Sequence, residues 1–279
     1  MFENSPHERP ACNLCGGESV RLIRGDNFVE CTSCRLRFYS PRPTWQALKD
    51  RIWNPGNAAG LKKEADSMYE KGVMWGDPPD LASQFAFLAN YYRGFLTTIK
   101  RYRPDLNSIF EIGGSIGRFL RMAREAFGVP VCDGCEINFE AVKIAKEKMG
   151  LPSMVAGDFL SYSPLLNEER LPRTYDCIAA LDYIEHTYHP NEDLAKANAM
   201  LNPGGVLALK TFLEELDTQR TMVDYPWHSH HFFGDVLYRM VTQNGFSIIH
   251  WEVHSENQVF LVARKHEIPA DYRSAPSRE

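Results

Sequence analysis

Short apolar segments alternate with longer amphipathic ones through the C-terminal two-thirds of the chain. We read the apolar segments as strands at 108–112, 131–135, 153–156, 175–181, 205–210, 246–253 and 258–264. Helices are predicted between them at 117–127, 138–149, 190–201 and 233–244. Strands followed by helices at this rhythm predict an α/β fold around a mostly parallel, doubly wound sheet of seven strands.

The last two predicted strands have no helix between them. Only residues 255–257 separate them, so the two strands should pair as an antiparallel hairpin at the edge of the sheet. Residues 266–279 are polar and lack periodicity, which predicts a disordered tail.

The segment that precedes the first of these strands is rich in aromatic residues and has the start and stop signals of helices. Helices are predicted at 45–53 and 79–102, and the chain should break at Pro55, Gly56 and residues 77–79. This segment, residues 44–104, is therefore predicted to be helical.

Composition and charge narrow the class of protein. The chain has 279 residues, of which 44% are hydrophobic and 24% charged, which is ordinary for a globular protein with one core and a small accessory unit. It has no apolar run of about 18 residues and no apolar segment of a secretory signal near its first residue, so we expect a cytoplasmic protein without a membrane partner. The net charge of −5 gives no field that would attract nucleic acid, and no nucleic-acid partner is expected.

Four N-terminal cysteines predict a metal site. Cys12 and Cys15 form one C-x2-C pair, Cys31 and Cys34 form a second, and fifteen residues lie between the pairs. This spacing matches zinc sites with four thiolate ligands. Because four thiolates leave no open coordination position, the zinc should be structural, and we assign residues 1–43 to a zinc ribbon.

Three other cysteines are predicted to be core residues. Cys132 and Cys135 repeat the C-x2-C spacing, but they lie on a predicted strand. Side chains three positions apart on a strand point to opposite faces, so these two cannot share a metal ion. Together with Cys177 on the fourth strand, we interpret them as small buried side chains.

A glycine-rich turn follows the first strand of the sheet and opens a helix. Gly113, Gly114 and Gly117 allow a tight turn and a close approach of the backbone to a ligand. The N-terminus of the helix offers free N–H groups to a polar ligand. Glu136 ends the next strand, where a carboxylate suits two hydrogen bonds to ribose hydroxyls. The pattern therefore indicates a cofactor that contains a nucleoside.

The residue two positions before the first glycine narrows the choice of cofactor. Glu111 would repel a pyrophosphate and would suit a cationic amino group. The phrase Glu111-x-Gly113-Gly114-x-x-Gly117 resembles the first motif of the class I S-adenosylmethionine-dependent methyltransferases, (Asp/Glu)-x-Gly-x-Gly-x-Gly. The middle glycine of that motif is replaced here by Ser115.

Later segments resemble the same family in order and spacing. They are residues 155–159, 175–186 and 201–209, the last with the Pro-Gly-Gly turn into the fifth strand. The resemblance covers about residues 105–265, and it implies a Rossmann-like methyltransferase domain with S-adenosylmethionine as cofactor. The cofactor-binding residues that it implies are Glu111, Gly113, Gly114, Ser115, Gly117, Glu136, Ile137, Asp158, Phe159, Leu181 and Tyr69.

The ribbon carries a second resemblance. It ends in an aromatic-x-x-Pro-Arg-Pro phrase at residues 38–43, which resembles a group of bacterial methyltransferases that modify sugars, secondary metabolites or polysaccharide precursors. In that group, helices such as those predicted at 44–104 form a lid over the cofactor and one wall of the substrate pocket. The candidate lid contacts are Tyr69, Trp75, Tyr91 and Tyr92.

Candidate catalytic groups follow the fourth and fifth strands, whose carboxyl ends should share one edge of the sheet. They are Asp182, Glu185, His186, His228, His230 and His231. A hydroxyl acceptor must lose a proton, and we expect four imidazoles to converge on one cleft where one of them is the base. His186 could instead shape its loop, and His231 could cap a helix or line the pocket. Asp182, Glu185 and His186 could also hold a divalent cation, as is suspected in related quinone-precursor O-methyltransferases.

These observations predict an S-adenosylmethionine-dependent transferase that methylates a small polar molecule on oxygen with a histidine base. Three alternatives stay open: N- or C-methylation of an amino or keto sugar, a non-catalytic methyltransferase-like binding subunit, and an RNA methyltransferase. The sequence leaves open whether the protein is a monomer or a homodimer.

Overall fold

The computed structural model describes residues 5–52, 57–71, 81–163, 173–214, 228–254 and 257–266. The elements before the large sheet are β1 (His7–Glu8), β2 (Val20–Arg24), β3 (Phe28–Cys31), β4 (Arg37–Tyr39), β5 (Arg42–Pro43), α1 (Trp45–Ile52), α2 (Ala58–Lys71) and α3 (Leu81–Tyr102). The elements that follow are β6 (Ser108–Ile112), α4 (Arg118–Phe127), β7 (Val131–Glu136), α5 (Phe139–Glu147), β8 (Met154–Ala156), β9 (Tyr175–Leu181), α6 (Pro190–Met200), β10 (Leu201–Phe212), β11 (His230–His231), α7 (Gly234–Gln243), β12 (Phe246–Val253) and β13 (Gln258–Lys265).

Seven strands form one sheet in the order β12-β13-β10-β9-β6-β7-β8. The pairs β10–β9, β9–β6, β6–β7 and β7–β8 are parallel, whereas β13 is antiparallel to both of its neighbours. The predicted α/β class and the hairpin of the last two strands are therefore confirmed. Because β13 inserts beside β10, the strand at the outer edge is β12.

Most predicted boundaries agree with the structure to within two residues. Strand β10 begins earlier than predicted, at Leu201, because a register shift before Val206 lets it pair with Tyr175 of β9. Helix α2 was not among the predicted helices. Trp75 and most of the predicted tail lie outside the described residues.

Buried side chains pack on both faces of the sheet. Cys135 belongs to the core on one face, and Cys132 and Cys177 belong to the core on the other. The prediction that the second C-x2-C pair points to opposite faces is confirmed. None of the described helices is both long enough and apolar enough to cross a membrane.

The N-terminal residues 5–43, called the ribbon below, join the C-terminal part of the chain through a shared sheet. Strands β2, β3 and β4 are extended by β11, which pairs antiparallel with β4 so that His231 lies opposite Arg37. Leu36 and Phe38 of the ribbon are fully buried in one cluster with Phe232 and Val236 of the C-terminal part. The ribbon and the large sheet therefore have one continuous hydrophobic core.

Phe38→Ala should destabilise the whole protein because it leaves a cavity in this shared core. We expect the free energy of unfolding in urea to fall by about 3–5 kcal/mol in one cooperative transition. Leu22→Ala on the neighbouring β2, where the side chain is 60% exposed, should change it by no more than about 0.5 kcal/mol. A two-step curve in which only the ribbon unfolds early would contradict the shared core.

Candidate active site

The glycine-rich turn after β6 encloses a carboxylate. The N–H groups of Gly113 and Gly114 donate to the carbonyl of Cys135 on β7, at 2.9 and 3.1 Å. A Cβ on Gly114 would lie 3.0 Å from Oε2 of Glu111, and a Cβ on Gly117 would lie 2.3 Å from the Leu151 side chain. These two glycines are therefore needed for the turn to close around Glu111.

Glu111 is the most desolvated acid beside this turn. Its residue surface is 5% exposed, and Oε2 has no hydrogen-bond partner among the residues that the structure describes. Burial, and then the charge of Glu136, raise the pKa of Glu111 well above its usual range. A buried carboxylate oxygen without a donor fits a positively charged amino group.

Glu136 supports the turn from the end of β7. Its Oε2 accepts from the N–H of Ser115 at 2.9 Å, and its Oε1 accepts from the N–H of Asn138 at 2.8 Å. Burial raises the pKa of Glu136 in spite of these bonds. Ser115 has a φ of 48°, in the left-handed region that favours glycine, so the turn forms although serine replaces the glycine of the motif.

The other predicted cofactor residues lie around the same edge of the sheet, with one exception. Ile137 packs against the cluster of Leu48, Leu61 and Tyr188, which joins α1 and α2 to the end of β7. Asp158 accepts from the N–H of Ser161 at 3.0 Å and lies 3.5 Å from Lys49. Burial would raise the pKa of Asp158, but these bonds outweigh it and the net shift is downward.

Phe159 is the exception, and Leu181 and Tyr69 lie on two other elements. Phe159 is buried in the core beside Phe110, at 5.9 Å between ring centroids. Leu181 ends β9. The ring of Tyr69 lies 4.3 Å from Nζ of Lys148 on α5.

Helix α2, which sequence reasoning missed, lies against the glycine-rich turn. Arg118 donates to the carbonyls of Met68 and Tyr69, at 2.6 and 3.1 Å. Ser115 Oγ lies 3.0 Å from the sulfur of Met68. The helix thus packs on the turn, and Tyr91 and Tyr92 on α3 lie next to the same core.

A second group of polar side chains follows β9 and lies on β10. Asp182 has a φ of 53°, and its carboxylate forms an ion pair with the buried Lys210. The ammonium of Lys210 also lies 4.3 Å from the centroid of the Phe212 ring. Sequence reasoning missed Lys210 and Thr211, although polar residues within an otherwise apolar strand were the available signal.

Glu185 is the buried acid of this group. Its residue surface is 3% exposed, its Oε2 accepts from Thr211 at 2.8 Å, and its Oε1 has no hydrogen-bond partner in the described parts of the chain. Burial, and then the charge of Asp182, raise its pKa to about 7. The rings of His186 and His228 lie 4.7 Å apart between centroids.

The set of residues that could hold a divalent cation differs from the predicted one. Candidate ligand atoms of Glu185, His186 and His228 lie within 4.8 Å of one another. Asp182, which the sequence analysis placed in this set, is paired with Lys210 instead. His228 takes its place because the chain after β10 returns to the end of β9.

The expected convergence of four imidazoles is wrong for His230. Its ring is buried, with Nδ1 2.9 Å from the carbonyl of Thr187 and Nε2 3.1 Å from Oδ1 of Asn13 in the ribbon. Burial, and then the charge of Arg42, lower its pKa well below the usual range. Neighbouring residues on a strand point to opposite sides, so β11 directs His230 away from the site and His231 towards it.

His231 lies beside His228, with 6.1 Å between ring centroids. Its Nδ1 is 2.8 Å from Oε1 of Glu214, and Oε2 of Glu214 accepts from Arg37 of the ribbon at 2.9 Å. Sequence reasoning missed Glu214, an acid that follows a strand end just as Asp182 does. His186, His228 and His231 therefore lie together, next to the acids Glu185 and Glu214.

The four N-terminal cysteines converge as predicted. Their sulfur atoms lie within 4.8 Å of one another, with 3.3 Å between Cys12 and Cys34 and 3.6 Å between Cys15 and Cys31. Sulfur atoms in a tetrahedral zinc site with Zn–S bonds of about 2.3 Å are about 3.8 Å apart, so the cluster has the size of such a site. Burial raises the pKa of Cys12 and Cys34, whereas backbone hydrogen bonds from Cys34 and Ser33 outweigh burial at Cys31 and lower its pKa to about 7.

Two solved structures share the fold. The 1,6-didemethyltoxoflavin-N1-methyltransferase of Burkholderia thailandensis has 13% sequence identity and a TM-score of 0.53, and the match covers 85% of this chain and 99% of that one. The magnesium protoporphyrin IX methyltransferase of Synechocystis PCC 6803 has 14% identity and a TM-score of 0.52, with 80% of this chain and 100% of that one covered. At this level of identity the likeness concerns the fold. No curated protein sequence matches this chain.

The family follows from the sequence together with this fold. Residues 84–251, more than half of the chain, match the family model described as a methyltransferase domain. That range includes the glycine-rich turn, the two acids beside it and all four candidate histidines. The chain belongs to the class I S-adenosylmethionine-dependent methyltransferases.

Proposed function

We propose that this protein methylates a hydroxyl oxygen of a small polar molecule, a sugar or a precursor of a secondary metabolite or polysaccharide. The observation that carries the proposal is that two polar groups, one buried and one half-buried, share one edge of the sheet. One is the donor-free carboxylate oxygen of Glu111, and the other is the cluster of Glu185, His186, His228 and His231. The first fits the cofactor and the second fits an acceptor that must lose a proton.

The first group would hold S-adenosylmethionine, which supplies a methyl group on a sulfonium sulfur. The carboxylate of Glu111 would bind its amino group, and Glu136 would bind its ribose hydroxyls. Ile137 would lie against the adenine, and Asp158 would accept from the adenine amino group. Helix α2 would keep water from this crevice.

The histidine cluster would provide the base. The cofactor would supply the methyl group, its sulfur keeping the electron pair of the carbon–sulfur bond, and an imidazole nitrogen of the cluster would take the proton of the acceptor hydroxyl. Methyl transfer itself needs alignment more than charge stabilisation, because the sulfonium loses its charge as the methyl leaves. The closely packed rings of His186 and His228 support a histidine in this role.

Burial favours a small acceptor over a macromolecule. Glu185 and His231 are almost inaccessible to solvent, and the net charge of −5 would repel RNA. N-methylation of an amino sugar would use the same residues, and the acid–histidine cluster favours oxygen over nitrogen because a neutral amine already carries a lone pair whereas a hydroxyl must lose its proton. C-methylation of a keto sugar would use the same base to form an enolate.

We further propose that the four cysteines bind a structural zinc ion and that the chain is organised as the sequence suggests. The ribbon would occupy residues 1–43, the helical lid 44–104 and the catalytic domain 105–265. The match in size between the sulfur cluster and a tetrahedral zinc site supports the metal.

Cofactor binding tests the proposed function. In isothermal titration, Glu111→Gln should bind S-adenosylmethionine at least about tenfold more weakly than the wild type, because a charged hydrogen bond is lost. Glu125→Gln, an exposed acid on α4, is the matched control and should bind as tightly as the wild type. Equal affinities of Glu111→Gln and the wild type would refute this assignment of Glu111.

The same variant should be more stable than the wild type when no cofactor is present. Folding raises the pKa of Glu111 above its usual value of about 4.3, so ionisation of this group costs folding free energy as the pH rises above that value. Thermal unfolding should therefore show a stability gain of Glu111→Gln that is small near about pH 5 and grows towards about pH 8. A gain that is independent of pH would mean that desolvation of the charge is not its cause.

Metal analysis tests the zinc site. The wild type should contain one zinc ion per chain, Cys34→Ser should lose most of it, and Cys132→Ala, which lies outside the cluster, should keep it. Because the ribbon shares its core with the large sheet, zinc loss should lower the unfolding temperature of the whole protein. Full zinc occupancy in Cys34→Ser would disprove the ligand set.

A further inference from the structure

His231 is enclosed by the ribbon. Its backbone pairs with Arg37 of β4, and its ring lies 4.8 Å from Phe28 in an edge-to-face arrangement and 6.2 Å from Tyr39. The residue surface is 7% exposed. The ribbon therefore forms one wall around this imidazole.

Arg37 is fixed on both sides of its guanidinium. Its Nε donates to Oε2 of Glu30 at 3.0 Å, within the ribbon, and its Nη1 donates to Oε2 of Glu214 at 2.9 Å, outside it. The guanidinium carbon lies 4.6 Å from the centroid of the Phe233 ring. Since an arginine only donates, the oxygen of Glu214 that it contacts must be an acceptor.

Glu214 connects Arg37 to His231, because each of its two carboxylate oxygens contacts one of them. Burial would raise the pKa of Glu214, but its hydrogen bonds with His231 and Arg37 and the charge of Arg37 outweigh it and lower the pKa. Glu214 is therefore a carboxylate, and both of its oxygens accept. The nitrogen 2.8 Å from its Oε1, Nδ1 of His231, must carry a proton.

The other nitrogen is consequently the proton-accepting one. In neutral His231, a proton on Nδ1 leaves Nε2 with a free lone pair. This Nε2 is buried and has no hydrogen-bond partner among the residues described. The charged and titratable groups near the ring are Glu214, Arg37, Tyr39, His228 and His230.

We infer that Arg37 of the ribbon, through Glu214, fixes the tautomer of His231 and makes its Nε2 the proton acceptor for methyl transfer. This inference rests on the proposed function. The acceptor oxygen would bond to the methyl carbon as the carbon–sulfur bond breaks and its electron pair stays on sulfur. The hydroxyl proton would move to Nε2, and the Glu214 carboxylate would stabilise the resulting imidazolium of His231. Arg37 and Glu214 are positioning residues, and the ribbon thereby takes part in catalysis.

The tautomer can be measured without knowing the acceptor molecule. Long-range proton–nitrogen NMR spectra of the full zinc-loaded chain, labelled with nitrogen-15 in histidine, report which ring nitrogen carries the proton. The His231 signals are identified by their loss in His231→Asn. We expect the Nδ1–H tautomer in the wild type.

Glu214→Gln should invert this tautomer, and the inversion should depend on Arg37. Arg37 donates to the only oxygen of the glutamine amide, so the amide NH2 group faces His231. Because that group donates, Nδ1 must accept and the imidazole proton moves to Nε2. In the double variant Glu214→Gln with Arg37→Met, the amide is free to turn its oxygen towards Nδ1, and the Nδ1–H tautomer should return.

Arg35→Met is the matched control in the Glu214→Gln background. Arg35 lies 4.5 Å from the same Phe233 ring but pairs with Asp235, so its removal should leave the tautomer inverted. An unchanged tautomer in Glu214→Gln, or no return upon removal of Arg37, would overturn the inference. Titration with S-adenosylhomocysteine on the same samples checks the fold, and its failure to bind the wild type would count against the proposed function alone.

Discussion

The common register of four parallel strands determines where the candidate site residues that follow these strands lie. Ile112 at the end of β6 pairs with Cys135 of β7 and with Ala180 of β9, so these chains leave the sheet at the same level. Leu209 of β10 continues the row opposite Ala180, and Lys210 follows it opposite Leu181. Each residue that follows these positions is thereby delivered to one edge, where the glycine-rich turn and the histidine cluster meet.

Several buried carboxyl groups lie at that edge without a full set of hydrogen-bond or ion-pair partners. Burial raises the pKa of Glu111, Glu136 and Glu185, and two of these carboxyls have an oxygen without a donor in the described parts of the protein. Such groups oppose folding, and a ligand that binds only the native state offsets their cost. The architecture thus links stability to occupancy of the site.

The sequence predicts the structure correctly where a feature depends on residues that are close together in the chain. The strand rhythm, the glycine-rich turn and the spacing of Cys12, Cys15, Cys31 and Cys34 depend on residues close together in the chain, and the structure agrees with them. The orientation of His230 could not be predicted in this way, because β11 exists only through its pairing with β4. The ion pair of Lys210 with Asp182 likewise joins two different strands, and their side chains meet only in the folded sheet.

The pairing of β11 with β4 also has a consequence for biosynthesis. His231 and its partner Arg37 are separated by about 190 residues, so the first sheet to leave the ribosome lacks its fourth strand until most of the polypeptide has been made. Contacts between such distant positions carry a large loop-closure entropy and slow the late steps of folding. During synthesis, Phe38 and the free edge of β4 therefore have no partners from β11 until that strand has been made.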